Sequence, residues 1–140
     1  MARPHVGRRG RVLLFFGGLD VIYAFSLAQP DNVTRSGSLF AWLGQVGPLW
    51  MWASAWGLTG VILLWQAFCR DDAIGYGAAM ALKIGWGLVC MGGWLFGDVE
   101  RGYVSAAIWL AAAFLVSVIA GWPEVGNGRG PTWKHPSSSA

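Results

Sequence analysis

Two charged residues inside long apolar stretches are the candidates for chemistry in this chain. Asp20 interrupts residues 12–28, and Lys83 lies near the middle of residues 73–96. About 20 apolar residues suffice for a helix that crosses a bilayer, where a charged group is costly and usually has a partner or a role. Such a group can pair with an opposite charge, carry a proton or line a polar path, so we take these two residues as the candidate site.

The positions of the two charges predict that they meet. Asp20 lies nine residues after Arg11 and Lys83 lies eleven residues after Asp72, in stretches that start from the same side of the membrane, so their depths agree within a few ångströms. Small residues flank each charge on its own helix face: Gly17 and Ala24 beside Asp20, and Ala79 and Gly87 beside Lys83. We therefore expect the two helices to approach closely at this level and form an intramembrane ion pair.

Two uses of this pair fit the sequence. As a structural element it fixes helix register and lets two costly charges share one desolvation penalty, and as a functional element it lines a pore or a proton path. No Ser/His, Cys/His or paired-carboxylate arrangement lies near it, so we predict no enzymatic activity, no cofactor and no metal. Asp98, Glu100 and Arg101 lie in a predicted turn, where charges are usually solvated.

The composition places the chain in the membrane class. Of its 140 residues, 55% are hydrophobic, only 12% are charged and ten are Trp. We predict an all-α integral membrane protein, a four-transmembrane-helix bundle with short turns, formed by residues 1–122. The predicted spans are residues 12–28, 49–69, 73–96 and 104–122, followed by a disordered cytoplasmic tail at residues 123–140.

The distribution of Lys and Arg predicts that both termini lie in the cytoplasm. Alternate loops give seven basic residues inside, namely Arg3, Arg8, Arg9, Arg11, Arg70, Arg129 and Lys134, and two outside, namely Arg35 and Arg101. A cleaved signal peptide is the alternative for the first stretch, since Arg8 and Arg9 form a twin-arginine pair and Ser26 to Ala28 resemble a cleavage site. Asp20 within the apolar stretch favours a retained helix.

Aromatic residues and one long loop give further expectations. Residues 29–48 contain Leu39, Trp42, Leu43 and Val46 at the spacing of one helix face, which predicts either a short helix on the outer surface or a plain loop. Aromatic residues near the ends of the spans predict interfacial belts with no ligand-binding role: Trp50, Trp52, Trp56, Trp94 and Tyr103 outside, and Trp65 and Trp122 inside.

Small residues at four-residue spacing predict helix-packing faces. The third stretch has Gly77, Ala81 and Gly85, and the last has Ala113, Ser117 and Gly121. We expect packing within one chain, with contacts between copies of the chain as the alternative. Cys69 and Cys90 lie about 25 Å apart in depth, beyond disulfide reach, so both are expected to be free packing thiols.

Short spans, tight turns, a polar tail and a basic start resemble the small holin-like membrane proteins of actinobacterial phages. The basic start is Arg3-Pro4-His5 followed by Gly7-Arg8-Arg9-Gly10. The resemblance covers the whole length at the level of architecture. It implies a protein that oligomerises in the inner membrane of the host and opens a lesion during lysis, with the bilayer and further copies of the chain as partners and no nucleic acid.

Two other functions remain open from the sequence. A small multidrug-resistance type transporter also has four spans and a carboxylate in the first, where Asp20 takes the place of that family's Glu. Lys83 departs from that pattern, since a neutralised carboxylate does not exchange protons for cationic substrates, and the third span lacks the family's motif. The third alternative is a non-conducting accessory or assembly subunit of a larger membrane complex.

Overall fold

The residues that the structure describes form five α-helices. The computed structural model describes residues 7–29, 37–69 and 71–122, and within these ranges it contains no strand. The helices are α1 (Arg8–Ala28), α2 (Ser38–Val46), α3 (Leu49–Gln66), α4 (Ala73–Phe96) and α5 (Gly102–Ala120). The all-α prediction is confirmed. The predicted tail at residues 123–140, the first six residues and Arg70 lie outside the described ranges.

Three of the helices, α1, α4 and α5, are long and apolar enough to cross a membrane. A fourth span results if α2 and α3, which are bent by 90° at the break between them, are counted together. Helix boundaries differ from the predicted spans by a few residues, most clearly at Arg8, where α1 begins four residues before the apolar stretch. Arginine is a good helix former, so the helical backbone continues beyond the segment that hydropathy marks.

Two tightly packed antiparallel pairs, α1 with α3 and α4 with α5, make up the bundle. At the first crossing, a Cβ added to Gly17 would lie 3.0 Å from the Gly60 carbonyl oxygen, and one added to Gly60 would lie 3.0 Å from the Gly17 oxygen. At the second, a Cβ added to Gly87 would lie 3.0 Å from the Leu110 side chain. Backbones approach this closely only where side chains are small, as is usual between membrane helices.

The expectation that small residues bring α1 against α4 is wrong. Gly17 packs on Gly60 of α3, Ala24 lies opposite Gly57 of the same helix, and Gly87 packs against α5. The backbones of α1 and α4 make only slight contact. Gly17, Ala24 and Gly87 therefore serve the tight pairs, because a helix has room for more than one interface around its circumference.

The predicted packing face on α4 is also wrong for packing within the chain. Gly77, Ala81 and Gly85 are exposed, and a Cβ added to Gly77 or Gly85 would meet nothing within 4 Å. The opposite face, which carries Ala79 and Lys83, is buried instead. Since this face already supplies the contacts with α1, α3 and α5, the small-residue face is left on the outside.

On α5 the predicted packing face divides. Ala113 is buried, Ser117 is half-buried and donates its hydroxyl hydrogen bond to the Phe114 carbonyl at 2.7 Å, and Gly121 is exposed. The prediction is thus wrong for Gly121. Gly121 is the C-cap residue, just past the last residue of α5.

Of the two alternatives for residues 29–48, a short helix or a plain loop, the structure has the short helix, α2. It meets α3 at 90° and lays Trp42 against the end of α4. The indole Nε1–H of Trp42 donates to the Val89 carbonyl at 3.1 Å, and a Cβ added to Gly93 would lie 2.9 Å from the Trp42 ring. The glycine leaves space for the indole, which ties α2 to the bundle.

The interior has two parts. An aliphatic cluster lies toward the N-terminal end of α1 and consists of Leu13, Leu63, Ala67, Tyr76, Ala79, Val116 and Ile119. An aromatic cluster lies on the other side and consists of Tyr23, Trp52, Trp56, Trp86 and Trp109, with ring centroids 4.4 to 5.8 Å apart. The assignment of Trp52 and Trp56 to an interfacial belt is therefore wrong, whereas Trp50, Trp65, Trp94, Tyr103 and Trp122 are exposed.

Candidate functional site

Asp20 and Lys83, the two residues paired by the depth argument, are in contact. Lys83 Nζ donates to Asp20 Oδ1, and each residue is only 1% exposed. They are the buried charged residues among those the structure describes. The pair lies between the aliphatic and aromatic clusters, where α1 and α4 face each other.

The length of the lysine side chain makes this contact possible. Because the α1 and α4 backbones make only slight contact, the four-carbon stem of Lys83 carries its ammonium across the gap to the carboxylate. The ammonium Nζ also lies 4.9 Å from the ring centroid of Trp56 and 5.6 Å from that of Phe16. Such cation–π contacts supply about 2 kcal/mol when the ammonium is desolvated.

The carboxylate of Asp20 is held less completely than the ammonium. Its Oδ2 is buried and has no hydrogen-bond partner within the described residues, and the same holds for Nε1 of Trp56. A buried carboxylate oxygen without a donor carries a desolvation cost. The ionised form of Asp20 is therefore stabilised mainly by the charge of Lys83. Because the two charges compensate each other, neither is available to a substrate in this arrangement.

A second ion pair joins the same two helices and was missed by the sequence reasoning. Arg9 Nη2 lies 2.7 Å from Asp72 Oδ1, with side chains 20% and 16% exposed. Tyr76 adds to this contact, since its hydroxyl donates to the Arg9 carbonyl at 3.1 Å and its ring lies 5.0 Å from the Arg9 guanidinium carbon. Asp72 stands at the N-cap of α4, but its side chain makes no cap hydrogen bond there.

The sequence does contain the signal for this second pair. Arg9 and Asp20 are eleven residues apart, and so are Asp72 and Lys83. Eleven residues are about three helical turns, so each helix presents both of its charges on one face. The charge order is positive then negative on α1 and negative then positive on α4, which predicts both pairs for parallel helices in this register.

The two cysteines are free thiols. Cys90 is buried in the core beside the aromatic cluster, as expected of a packing residue. Cys69 is exposed just after α3, so the packing role expected for it is wrong. Helix α3 ends at Gln66, which leaves Cys69 in the turn that follows rather than in the bundle.

Within the described residues, no group of three or more His, Cys, Asp or Glu side chains is placed to hold a metal ion. The chain matches no protein-family model, no curated protein and no solved structure. Its functional interpretation therefore rests on the charges, the burial and the helix packing.

Proposed function

We propose that the chain is a four-span integral membrane protein, with both termini in the cytoplasm, that self-associates and permeabilises the inner membrane of a phage host as holin-like proteins do. The observation that carries the membrane part is the distribution of polarity. The buried charges lie at the centre of the helices, and the outward surfaces of the helices are apolar. A water-soluble protein has the reverse arrangement.

The outward surfaces support a lipid environment for all four long helices. Large apolar side chains are exposed along each of them: Phe15, Ile22 and Phe25 on α1, Leu58, Val61 and Trp65 on α3, Ile74 and Leu88 on α4, and Ile108 and Phe114 on α5. Contiguous apolar surface on this scale is unusual for a soluble monomer. In a bilayer the same side chains contact acyl chains at no cost.

The ends of the bundle support the orientation. Arg8, Arg9 and Arg11 lie at the start of α1, whereas the turn between α4 and α5 has the single basic residue Arg101 beside Asp98 and Glu100. Basic residues next to a span are normally retained in the cytoplasm. Helix α1 therefore runs outward from the cytoplasmic side in this proposal.

The exposed face of α4 supports self-association. Gly77, Ala81 and Gly85 recur every four residues, so they lie on one side of the helix and allow another helix to approach closely. The centre of a single chain is filled by the ion pair and the aromatic cluster. A leak would therefore form between copies of the chain rather than through one of them.

The geometry of the Asp20–Lys83 site bears differently on the two alternatives, a transporter and an accessory subunit. A transporter that uses Asp20 needs this carboxylate to be accessible and free to exchange its charge, and the 1% exposure and the contact with Lys83 argue against it. A non-conducting accessory subunit is the second candidate, because the same closed centre favours a protein that conducts nothing by itself. The two remaining candidates differ in whether the assembled protein leaks ions.

The test is to induce the protein in a bacterial host and follow the membrane potential with a fluorescent dye. We expect a delayed collapse with the natural chain, and no collapse with the double variant Gly77→Ile/Gly85→Ile, because a Cβ at either position meets nothing within 4 Å in one chain but the larger side chains obstruct close approach of another copy. Gly18→Ile is the control, since a Cβ added to Gly18 on α1 also meets nothing within 4 Å. This variant should collapse the potential as the natural chain does.

Resistance of each variant to alkaline carbonate extraction shows whether it is inserted, and immunoblots show its abundance. An abundant, inserted natural chain that leaves the potential unchanged would rule out the holin-like function and favour the accessory subunit. Equal leakage by the double variant would show that the face on α4 is not the contact between copies.

A further inference from the structure

A basic cleft lies between the start of α1 and the end of α5. Three arginines and three apolar residues line it: Arg8, Arg9, Arg11, Val12, Ile119 and Trp122. Its volume is about 340 Å³, which is roughly that of ten water molecules in the liquid. The cleft is therefore large enough for a small polar group rather than a single ion.

Two of the three arginines at this cleft, Arg8 and Arg11, have no acidic partner within the described residues. The described residues that line the cleft include no acidic residue, and Asp72 forms its ion pair with Arg9. Arg9 Nε is buried and has no acceptor within the described residues. The first turn of α1 also has no acidic residue and no side-chain cap, so Arg8 and Arg11 lie at the positive end of the helix dipole without an acidic neighbour on their own helix turn. An anion bound here would compensate these charges.

The two kinds of lining residue point to an amphipathic anion. Guanidinium groups bind phosphate oxygens through paired hydrogen bonds, and exposed Trp rings favour the boundary between acyl chains and headgroups. Ile119 is 8% exposed and Trp122 is 48% exposed, so the wall on α5 is apolar inside and reaches the surface at the indole. Basic pockets between helix ends on the cytoplasmic side are known to suit anionic headgroups.

We propose that this cleft binds the phosphate headgroup of an anionic phospholipid, with Arg8 and Arg11 on the phosphate and Val12, Ile119 and Trp122 against the glycerol and the first acyl carbons. Arg9 contributes charge while its Nη2 contacts Asp72. The proposal depends on membrane insertion, as proposed above, but not on a leak. Free phosphate has the same anionic chemistry without the apolar part, so it is the competing ligand.

The test is lipid binding to the purified full chain in neutral detergent, measured by native mass spectrometry with phosphatidylglycerol or phosphatidylcholine added. Both have a phosphodiester, but only the first has net negative charge. We expect at least about ten-fold preference for phosphatidylglycerol. At about five-fold for each basic group, Arg8→Gln/Arg11→Gln should weaken phosphatidylglycerol binding roughly 30-fold. Arg101→Gln, which removes an exposed arginine at the other end, is the control and should bind as the natural chain does.

Two further variants keep the result interpretable. Arg8→Lys/Arg11→Lys keeps the charge and should retain most of the lipid preference, and helical circular dichroism shows that each variant is folded. Trp122→Ala should weaken phosphatidylglycerol but leave any binding of inorganic phosphate unchanged. Equal binding of the two lipids, or an unaffected glutamine double variant, would overturn the proposal.

A comparison with inorganic phosphate shows whether the ligand of the cleft is a lipid headgroup or free phosphate. If inorganic phosphate protects the protein from thermal unfolding as well as phosphatidylglycerol does, the cleft is a soluble-phosphate site and the lipid proposal is wrong. A lipid preference in a chain that causes no leak would refute the proposed holin-like function alone. Loss of the natural chain from the carbonate-resistant membrane fraction would refute insertion, and the lipid proposal with it.

Discussion

The two ion pairs between α1 and α4 use the same helices and the same spacing but differ in polarity and in burial. Near the helix starts, Arg9 of α1 meets Asp72 of α4 with side chains 20% and 16% exposed. Three turns further on, Asp20 of α1 meets Lys83 of α4 with both side chains 1% exposed. We call Arg9–Asp72 the outer pair, because it is partly exposed to solvent. We call Asp20–Lys83 the inner pair, because it is buried and its ammonium contacts two aromatic rings.

The charges follow opposite orders along α1 and α4. This order favours one relative direction of the two helices as well as one register. If α4 ran antiparallel to α1, Arg9 would face Lys83 and Asp20 would face Asp72, which places like charges together. A shift of one turn would leave every charge without its partner. Since the backbones of α1 and α4 make only slight contact, these long side chains are the main link between these two helices, while α3 packs directly on α4 and joins the two tight pairs as well.

Burial sets what each pair contributes. An exposed pair contributes about 0 to 1 kcal/mol because water already solvates its charges. A buried pair adds little net stability over an apolar replacement, but removing one partner leaves an uncompensated charge and costs about 3 to 5 kcal/mol. The difference between one missing partner and two should therefore be large for the inner pair and small for the outer pair.

The largest expected effect is the loss of one partner of the inner pair. Asp20→Asn or Lys83→Met alone should destabilise the folded, inserted protein by about 3 to 5 kcal/mol, and the double change should cost less than either. Unfolding of the purified chain in mixed micelles measures the four free energies of a double-mutant cycle. Losses that simply add would mean that the two residues do not interact and would restore Asp20 as a lone proton-carrying carboxylate.

A smaller effect is expected at the outer pair. Arg9→Gln should cost about 1 kcal/mol, and Asp72→Asn slightly more, because it also removes a negative charge from the start of α4. The Arg9 carbonyl still accepts the hydrogen bond from Tyr76 in both variants, so α1 and α4 stay joined at this end. The same unfolding assay applies, and a coupling as large as that of the inner pair would show that exposure does not decide the strength of these contacts.

The inner pair could be predicted from the sequence, because each of its charges stands out within its own apolar stretch. A charge in an apolar stretch identifies Asp20 and Lys83, and residue counts give their depth. The same counts contain Arg9 and Asp72, but a charge at the end of an apolar stretch has solvent as an alternative partner. Nothing in such a position requires a contact, so only the equal spacing of eleven residues indicates the second pair.

The faces through which the helices pack were harder to predict from the sequence than the helices themselves. The four-residue spacing of Gly77, Ala81 and Gly85 resembles that of a buried interface, yet this face is exposed, and the contact between α1 and α3 depends on single glycines, Gly17 and Gly60. Which small residues meet depends on how helices are arranged around each other, and spacing along one helix does not contain this information. Trp52 and Trp56 illustrate the same limit, since a Trp near the end of a span suits either lipid or an aromatic core.

The smallest effect, and the one that bears most directly on function, is the response of the two pairs to salt. Raising the salt concentration from about 0.01 M to about 1 M shortens the Debye length from about 30 Å to about 3 Å. The coupling between Arg9 and Asp72 should fall by a few tenths of a kcal/mol, because ions reach a pair that is partly exposed. The coupling between Asp20 and Lys83 should stay unchanged, because a sealed pair is not screened.

Repeating both double-mutant cycles at the two salt concentrations, in neutral detergent so that no anionic lipid competes, measures this difference. If the inner coupling falls as much as the outer one, ions or water reach Asp20 from the surface. The centre of a single chain would then contain a polar path. This result would support transport through one chain over a leak between copies. An inner coupling independent of salt supports a sealed monomer, for which any conduction must come from assembly.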